Sequence, residues 1–140
     1  MPILQGALIC DAAHEYNGLV SVLGGFVNVI NAGELPTLAP IWYAARVGFW
    51  ANEIDIDHEV VVRAEGPDGE TLAEVRGQMT RIGQVPTIVA PELTLGVNLV
   101  FPLPFPIVRE GMYWIELRVD GEQAISRLPI KVILNRPPAP

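Results

Sequence analysis

Glu53, Asp55, Asp57, His58 and Glu59 form the densest polar cluster in the sequence. Calcium takes six to eight oxygen ligands, so carboxylates crowded at the mouth of a β-sandwich could hold it, as in C2-like modules. Asp55, Asp57, His58 and Glu59 are the candidate metal residues of such a ligand-binding module. Asp68 with Glu70, or Asp120 with Glu122, would complete the site only if their hairpins lie at the same end. Ile54 and Ile56 alternate with the acids, however, and that alternation favours a plainer reading, the wet face of a strand or loop.

Cys10, Asp11, His14 and Glu15 place a thiol near an imidazole. A cysteine nucleophile needs a base within hydrogen-bond reach and a lowered pKa. Cys10 lies in an apolar run, where a free cysteine packs as a small hydrophobe, and burial is the favoured reading. One cysteine and two histidines do not make a closed zinc set. The serines are Ser21 and Ser126, neither within Gly-x-Ser-x-Gly. No phosphate-cradling glycine loop is present, and His58-Glu59 lacks the second histidine of a zincin helix. The expectation is a non-enzymatic protein without a cofactor and with no catalytic residue to assign. Trp42, Arg46 and Trp50 would share one strand face and could stack a ring, but at about 3.3 Å per residue the tryptophans stand roughly 26 Å apart, too far to sandwich one small ligand.

The chain positioning these residues has 140 amino acids, half of them apolar and 18% charged, with a net charge of −7. A typical domain carries about 25% charge, so little is available to keep the surface wet. The acidic balance opposes phosphate backbones and argues against nucleic acid. A lone cysteine fits a reducing compartment. The first basic residue is Arg46, and no run is long and apolar enough for a spanning helix; the expectation is a cytoplasmic protein with no membrane association.

Apolar residues recur with period two between turn signals, the pattern of half-buried strands. Leu93, Leu95, Val97, Leu99 and Phe101 alternate with Thr94, Gly96, Asn98 and Val100, while Tyr113, Ile115, Leu117 and Val119 face away from Trp114, Glu116 and Arg118. Asn17-Gly18, Pro67-Asp68-Gly69 and Asp120-Gly121 supply hairpin turns. The spacing predicts strands over residues 3–11, 19–30, 41–50, 59–65, 71–80, 93–101, 112–119 and 123–134, with His14 and Glu15 in a short turn and Pro102, Pro104 and Pro106 ending the strand before them. The fold class is all-β, a single antiparallel Greek-key or immunoglobulin-like sandwich of seven to nine strands over residues 1–135, followed by a Pro-rich tail over 136–140.

The segment Glu110-Gly111-Met112-Tyr113-Trp114, continuing to Asp120-Gly121, resembles the penultimate hairpin of immunoglobulin-like sandwiches. That resemblance implies a tyrosine corner, with the Tyr113 hydroxyl tied back to the preceding loop. Ala7-Leu8-Ile9-Cys10-Asp11, Asn17-Gly18 and Val22-Leu23-Gly24-Gly25-Phe26, with the closing Gly-x-Tyr hairpin, resemble a group of bacterial proteins of unknown function and similar length. This likeness implies a bacterial β-sandwich and carries no activity with it.

Between positions 16 and 45 the single charge is Glu34, and residues 19–30 are apolar or small on both strand faces. A strand apolar on both faces has to be covered on both. The cover is either the chain's own residues 93–108 folding back or another subunit, and the favoured reading is another subunit. The expected partner is a second copy or another protein, with Val22, Phe26, Trp42 and Trp50 as interface anchors.

Overall fold

The computed structural model describes residues 2–50, 52–54, 56–79, 95–121 and 123–135. Its eleven strands are β1 (Ile3–Tyr16), β2 (Leu19–Gly25), β3 (Val29–Ala32), β4 (Thr37–Leu38), β5 (Trp42–Phe49), β6 (His58–Glu65), β7 (Thr71–Met79), β8 (Leu95–Pro102), β9 (Pro106–Ile107), β10 (Gly111–Val119) and β11 (Ala124–Leu134). They form a four-stranded sheet in the order β2-β1-β5-β8, a five-stranded sheet in the order β3-β11-β10-β6-β7, and a small β4-β9 ladder. No described helix is long and apolar enough to cross a membrane.

The two large sheets enclose the core. Ile9, Tyr43, Ala45, Val47 and Phe49 from the four-stranded sheet pack against Val60, Val62, Tyr113, Ile115, Leu117, Ile130 and Val132 from the other. The inward row of β10 is the one its alternation predicts, and Leu95, Val97, Leu99 and Phe101 likewise turn to this core. Tyr113 donates its hydroxyl hydrogen to the Arg109 carbonyl at 2.7 Å, so the tyrosine corner is present.

Three differences from the sequence reading have local causes. Residues 19–30 split into β2, which pairs with β1, and β3, which crosses to the other sheet and runs parallel to β11. The break falls where Gly24 and Phe26 both adopt positive φ, near 62°, a conformation that ends a strand. A side chain at Gly24 would also put Cβ 2.2 Å from the Asp11 carboxylate. His14 and Glu15 lie in β1, opposite Ser21 and Val20, because the Asn17-Gly18 turn needs only two residues.

β8 ends at Pro102, as the prolines predict, yet single backbone bonds continue beyond it. Leu103 N–H donates to the Ile41 carbonyl and Ala39 N–H to that of Phe105, so the odd positions face the partner and the prolines turn their missing N–H to the free edge. Finally, eleven strands exceed the expected nine because of the split and the short β4-β9 ladder.

The core holds two buried tyrosines in opposite states. The Tyr43 hydroxyl is fully buried, and no described group meets it in good hydrogen-bond geometry; burial drives its pKa far above the ordinary value, and the nearby Ser126 side chain offsets only part of that. Tyr113→Phe should therefore cost about 1 kcal/mol, by leaving a carbonyl unmatched, whereas Tyr43→Phe should be neutral or stabilising. Urea titration of both variants checks this; equal losses would contradict the assignment.

Candidate functional site

β1 belongs to two ladders. Its first half pairs with β5, from Ile3 opposite Gly48 to Cys10 opposite Trp42, and its second half pairs with β2, from Cys10 opposite Gly25 to Tyr16 opposite Leu19. The second half also contacts the far side of the same sheet. Ala13 packs with Cys10 and Ala44, joined by Leu8, Val20, Trp42 and Val100. At the hairpin tip the Gly18 carbonyl accepts from Asn98 Nδ2 at 3.0 Å and from Arg46 Nη1 at 3.4 Å. The β1-β2 hairpin thus folds back over the outer face of the four-stranded sheet.

The charge-poor segment itself lies over Cys10, Ala13 and Ala44, packing there through Val20. What remains open is the hairpin's own surface. Leu19, Leu23 and Phe26 are 70%, 71% and 77% exposed, and Val22 is partly exposed beside them. Phe26 combines that exposure with a φ of 62°, which is strained for an aromatic residue, and such strain concentrates at functional positions. β2 is also an edge strand, so its second row of backbone groups has no ladder partner among the described residues.

The expected interface set divides. Val22 and Phe26 are on this open surface. Trp42 is half-buried against the small cluster under the hairpin. Trp50 lies past the end of β5, its N–H bonded to Glu53 Oε1 at 3.0 Å. The two tryptophans are not brought together, so they form no stacking platform with Arg46. Leu19 and Leu23 were legible only as members of an uncharged run; nothing local distinguishes an exposed leucine from a covered one.

Of the acidic residues singled out in the sequence and their neighbours, the structure describes Glu53, Asp57, His58, Glu59, Asp68, Glu70 and Asp120. His58 is buried, with Nδ1 on the Asp120 carboxylate and Nε2 2.6 Å from the Glu53 carbonyl. Both partners are oxygens, and the protonated ring donates to each of them. Glu59 is held by Arg76 at 2.7 Å, and Asp68 and Glu70 both meet Arg109. Asp57 is exposed, while Asp55 and Glu122 lie outside the described residues. Among the described residues no group of three or more histidine, cysteine or acidic side chains could hold a metal. Sequence reading placed Asp120 in a turn and, with Glu122, among the residues that could complete a cation site. It is also a clamp, taking His58 on one carboxylate oxygen and the Glu59 N–H on the other at 2.8 Å.

Cys10 is buried, its thiol directed at the Trp42 carbonyl, and burial with the nearby Asp11 charge raises its pKa. His14 is exposed four residues along β1, on the same arm but out of contact, so the two do not form a nucleophile and base.

Two measurements follow. Cys10 should react with a thiol reagent only on unfolding; rapid labelling of the native protein would contradict its burial. For His58, burial alone would lower the pKa, but the Asp120 carboxylate and the Glu53 carbonyl outweigh it and the net shift is upward. A raised folded pKa means stability is full below the ordinary histidine value of about 6.5 and is lost as pH rises through the raised value. The melting temperature should fall across that window, and Asp120→Asn, which keeps an oxygen for the Glu59 N–H, should flatten the fall. An unchanged pH profile in Asp120→Asn would show that the pair does not supply it.

No curated protein matches the chain. Among solved structures, the CARDB domain of a Pyrococcus furiosus protein, crystallised in complex with di-metal ions, is similar over 76% of this chain and 81% of that one, at 15% identity and a TM-score of 0.41. The model of a family of unknown function, DUF6941, matches residues 5–133, and the chain belongs to that family.

Proposed function

We propose that the protein is a non-enzymatic interaction module whose occupant at β2 is a second copy of itself, bound by antiparallel β2-to-β2 pairing with the exposed apolar side chains packed across the two-fold axis. The observation carrying this reading is an unguarded edge. Natural edge strands are blunted by charge, proline, shortness or a bulge. β7, at one edge of the five-stranded sheet, carries Glu74 and Arg76; β3, at the other, has four residues; and β8 runs into the prolines at 102, 104 and 106. β2, Leu-Val-Ser-Val-Leu-Gly-Gly, has none of these guards.

An uncharged strand has no charge pattern with which to choose a different partner, and identical strands pair in closed two-fold symmetry without leaving a free edge there. Burying a leucine or phenylalanine contributes roughly 1.5–3 kcal/mol, so three such side chains from each copy can offset a large part of the loss of translational and rotational freedom.

Light scattering coupled to size-exclusion chromatography over a wide concentration range is the test. The expected particle is twice the 15.2 kDa chain mass. Leu23→Lys should return it to the monomer with little change in melting temperature, since Leu23 is exposed. Phe26→Asn should also weaken association while relieving backbone strain, leaving the monomer as stable or more so. A strict monomer at every concentration, or a dimer indifferent to Leu23→Lys, would overturn the reading.

A further inference from the structure

Between the folded-back hairpin and the sheet beneath it lies an open cavity of about 370 Å³, walled by Leu8, Val20, Val22 and Ala44 and bounded by Arg46 and Asn98. Small-molecule sites run from roughly 300 to 1,000 Å³ and are built in this manner, apolar walls with a few fixed polar groups.

The polar end has an unusual charge balance. Arg63, Arg76, Arg109, Arg118 and Arg127 each meet a carboxylate. Arg46 meets only neutral oxygens: Gln5 Oε1 at 2.8 Å, Asn98 Oδ1 at 3.2 Å and the Gly18 carbonyl at 3.4 Å. Its Nη2 donates to none of the described residues. The guanidinium lies over Gly96, where a Cβ would stand 2.2 Å from Nε and 2.4 Å from Nη2, so the absence of a side chain there makes room for it. A full positive charge is thus positioned by neutral groups at the boundary of an apolar groove, in a chain of net charge −7.

We propose that this groove binds a small amphipathic carboxylate, one unbranched alkyl chain of medium length lying under the hairpin with its head group on Arg46 Nη2. Charge complementarity selects the head, because a carboxylate supplies the counter-ion that Arg46 lacks and accepts a charge-assisted hydrogen bond. The apolar walls select the tail. Leu19, Val22 and Phe26 line the groove as well as the open surface of β2, but Leu23 does not, so a change at Leu23 disturbs the edge without touching the walls of the site.

Decanoate and decanol, each below its aggregation threshold, are titrated calorimetrically into the full chain. Decanoate is expected to bind about tenfold more tightly than decanol, the worth of one charge-assisted bond. Arg46→Gln should bring decanoate down to the affinity of decanol. Because Arg46 also holds the hairpin tip, the groove is tested separately by Val22→Trp, which should fill it and abolish binding of both compounds while Arg46 remains. Leu23→Lys should bind decanoate as the parent chain does, whatever its assembly state.

Equal affinity for the two compounds, or decanoate binding indifferent to Arg46→Gln or Val22→Trp, would overturn the proposal. So would loss of binding in Leu23→Lys, which would place the site between copies. A peptide ending in apolar residues and a free carboxylate is the remaining control; its binding in place of decanoate would show a polypeptide as the occupant and overturn the proposal too.

Discussion

A sheet with apolar side chains on both faces has to be shielded from water twice, and in this protein only one other large sheet exists to do it. Ile9, Tyr43, Val47 and Phe49 face the five-stranded sheet, while Leu8, Cys10, Trp42, Ala44 and Val100 face the opposite way. The chain meets this constraint by prolonging β1 past its pairing with β5 and turning it back as a hairpin. Much of the surface architecture follows from that choice, including the burial of Cys10 and Ala13, the tie between Gly18 and Asn98, the groove beside Arg46 and the open edge of β2.

The five-stranded sheet solves the same problem with charge. On its outer side Arg63 pairs with Glu74, Arg76 with Glu59, and Arg118 and Arg127 with Glu116, while the Arg127 guanidinium lies 3.9 Å from the Trp114 ring centroid. Each exposed pair contributes little to stability. Together they keep the face wetted. The two sheets therefore present opposite surfaces, one ionic, the other apolar and shielded by a hairpin that is itself apolar. The same asymmetry explains why Arg46 stands out: it is the described arginine placed on the sheet that carries no paired carboxylates.

At the far end, His58 and Asp120 do for the loops what the hairpin does for the sheet. The loop after β5 is tied to His58 through the Glu53 carbonyl, and His58 is tied to the β10-β11 turn through Asp120. The ring of Phe49 packs on the imidazole, 4.4 Å between centroids. Among the described residues Glu59 pairs with Arg76, Asp68 and Glu70 with Arg109, and Asp120 with His58 and the Glu59 N–H, while Asp57 is exposed.

Alternation and turn chemistry are local, and they were enough to read from the residues alone the all-β class, the inward row of Tyr113 to Val119 and the Asn17-Gly18 hairpin; the tyrosine corner at Tyr113 came from the resemblance of Glu110 to Gly121 to immunoglobulin-like hairpins. Charge depletion between positions 16 and 45 likewise marked the segment that matters. The destination of that segment was not legible. Whether Leu23 is covered or covering, whether Cys10 meets His14 and which cation lacks a counter-ion depend on meetings between residues far apart in the chain, as when Gly18 meets Asn98 across 80 positions. A period-two pattern states that a strand has two faces; only the packed sheets decide what lies against each of them.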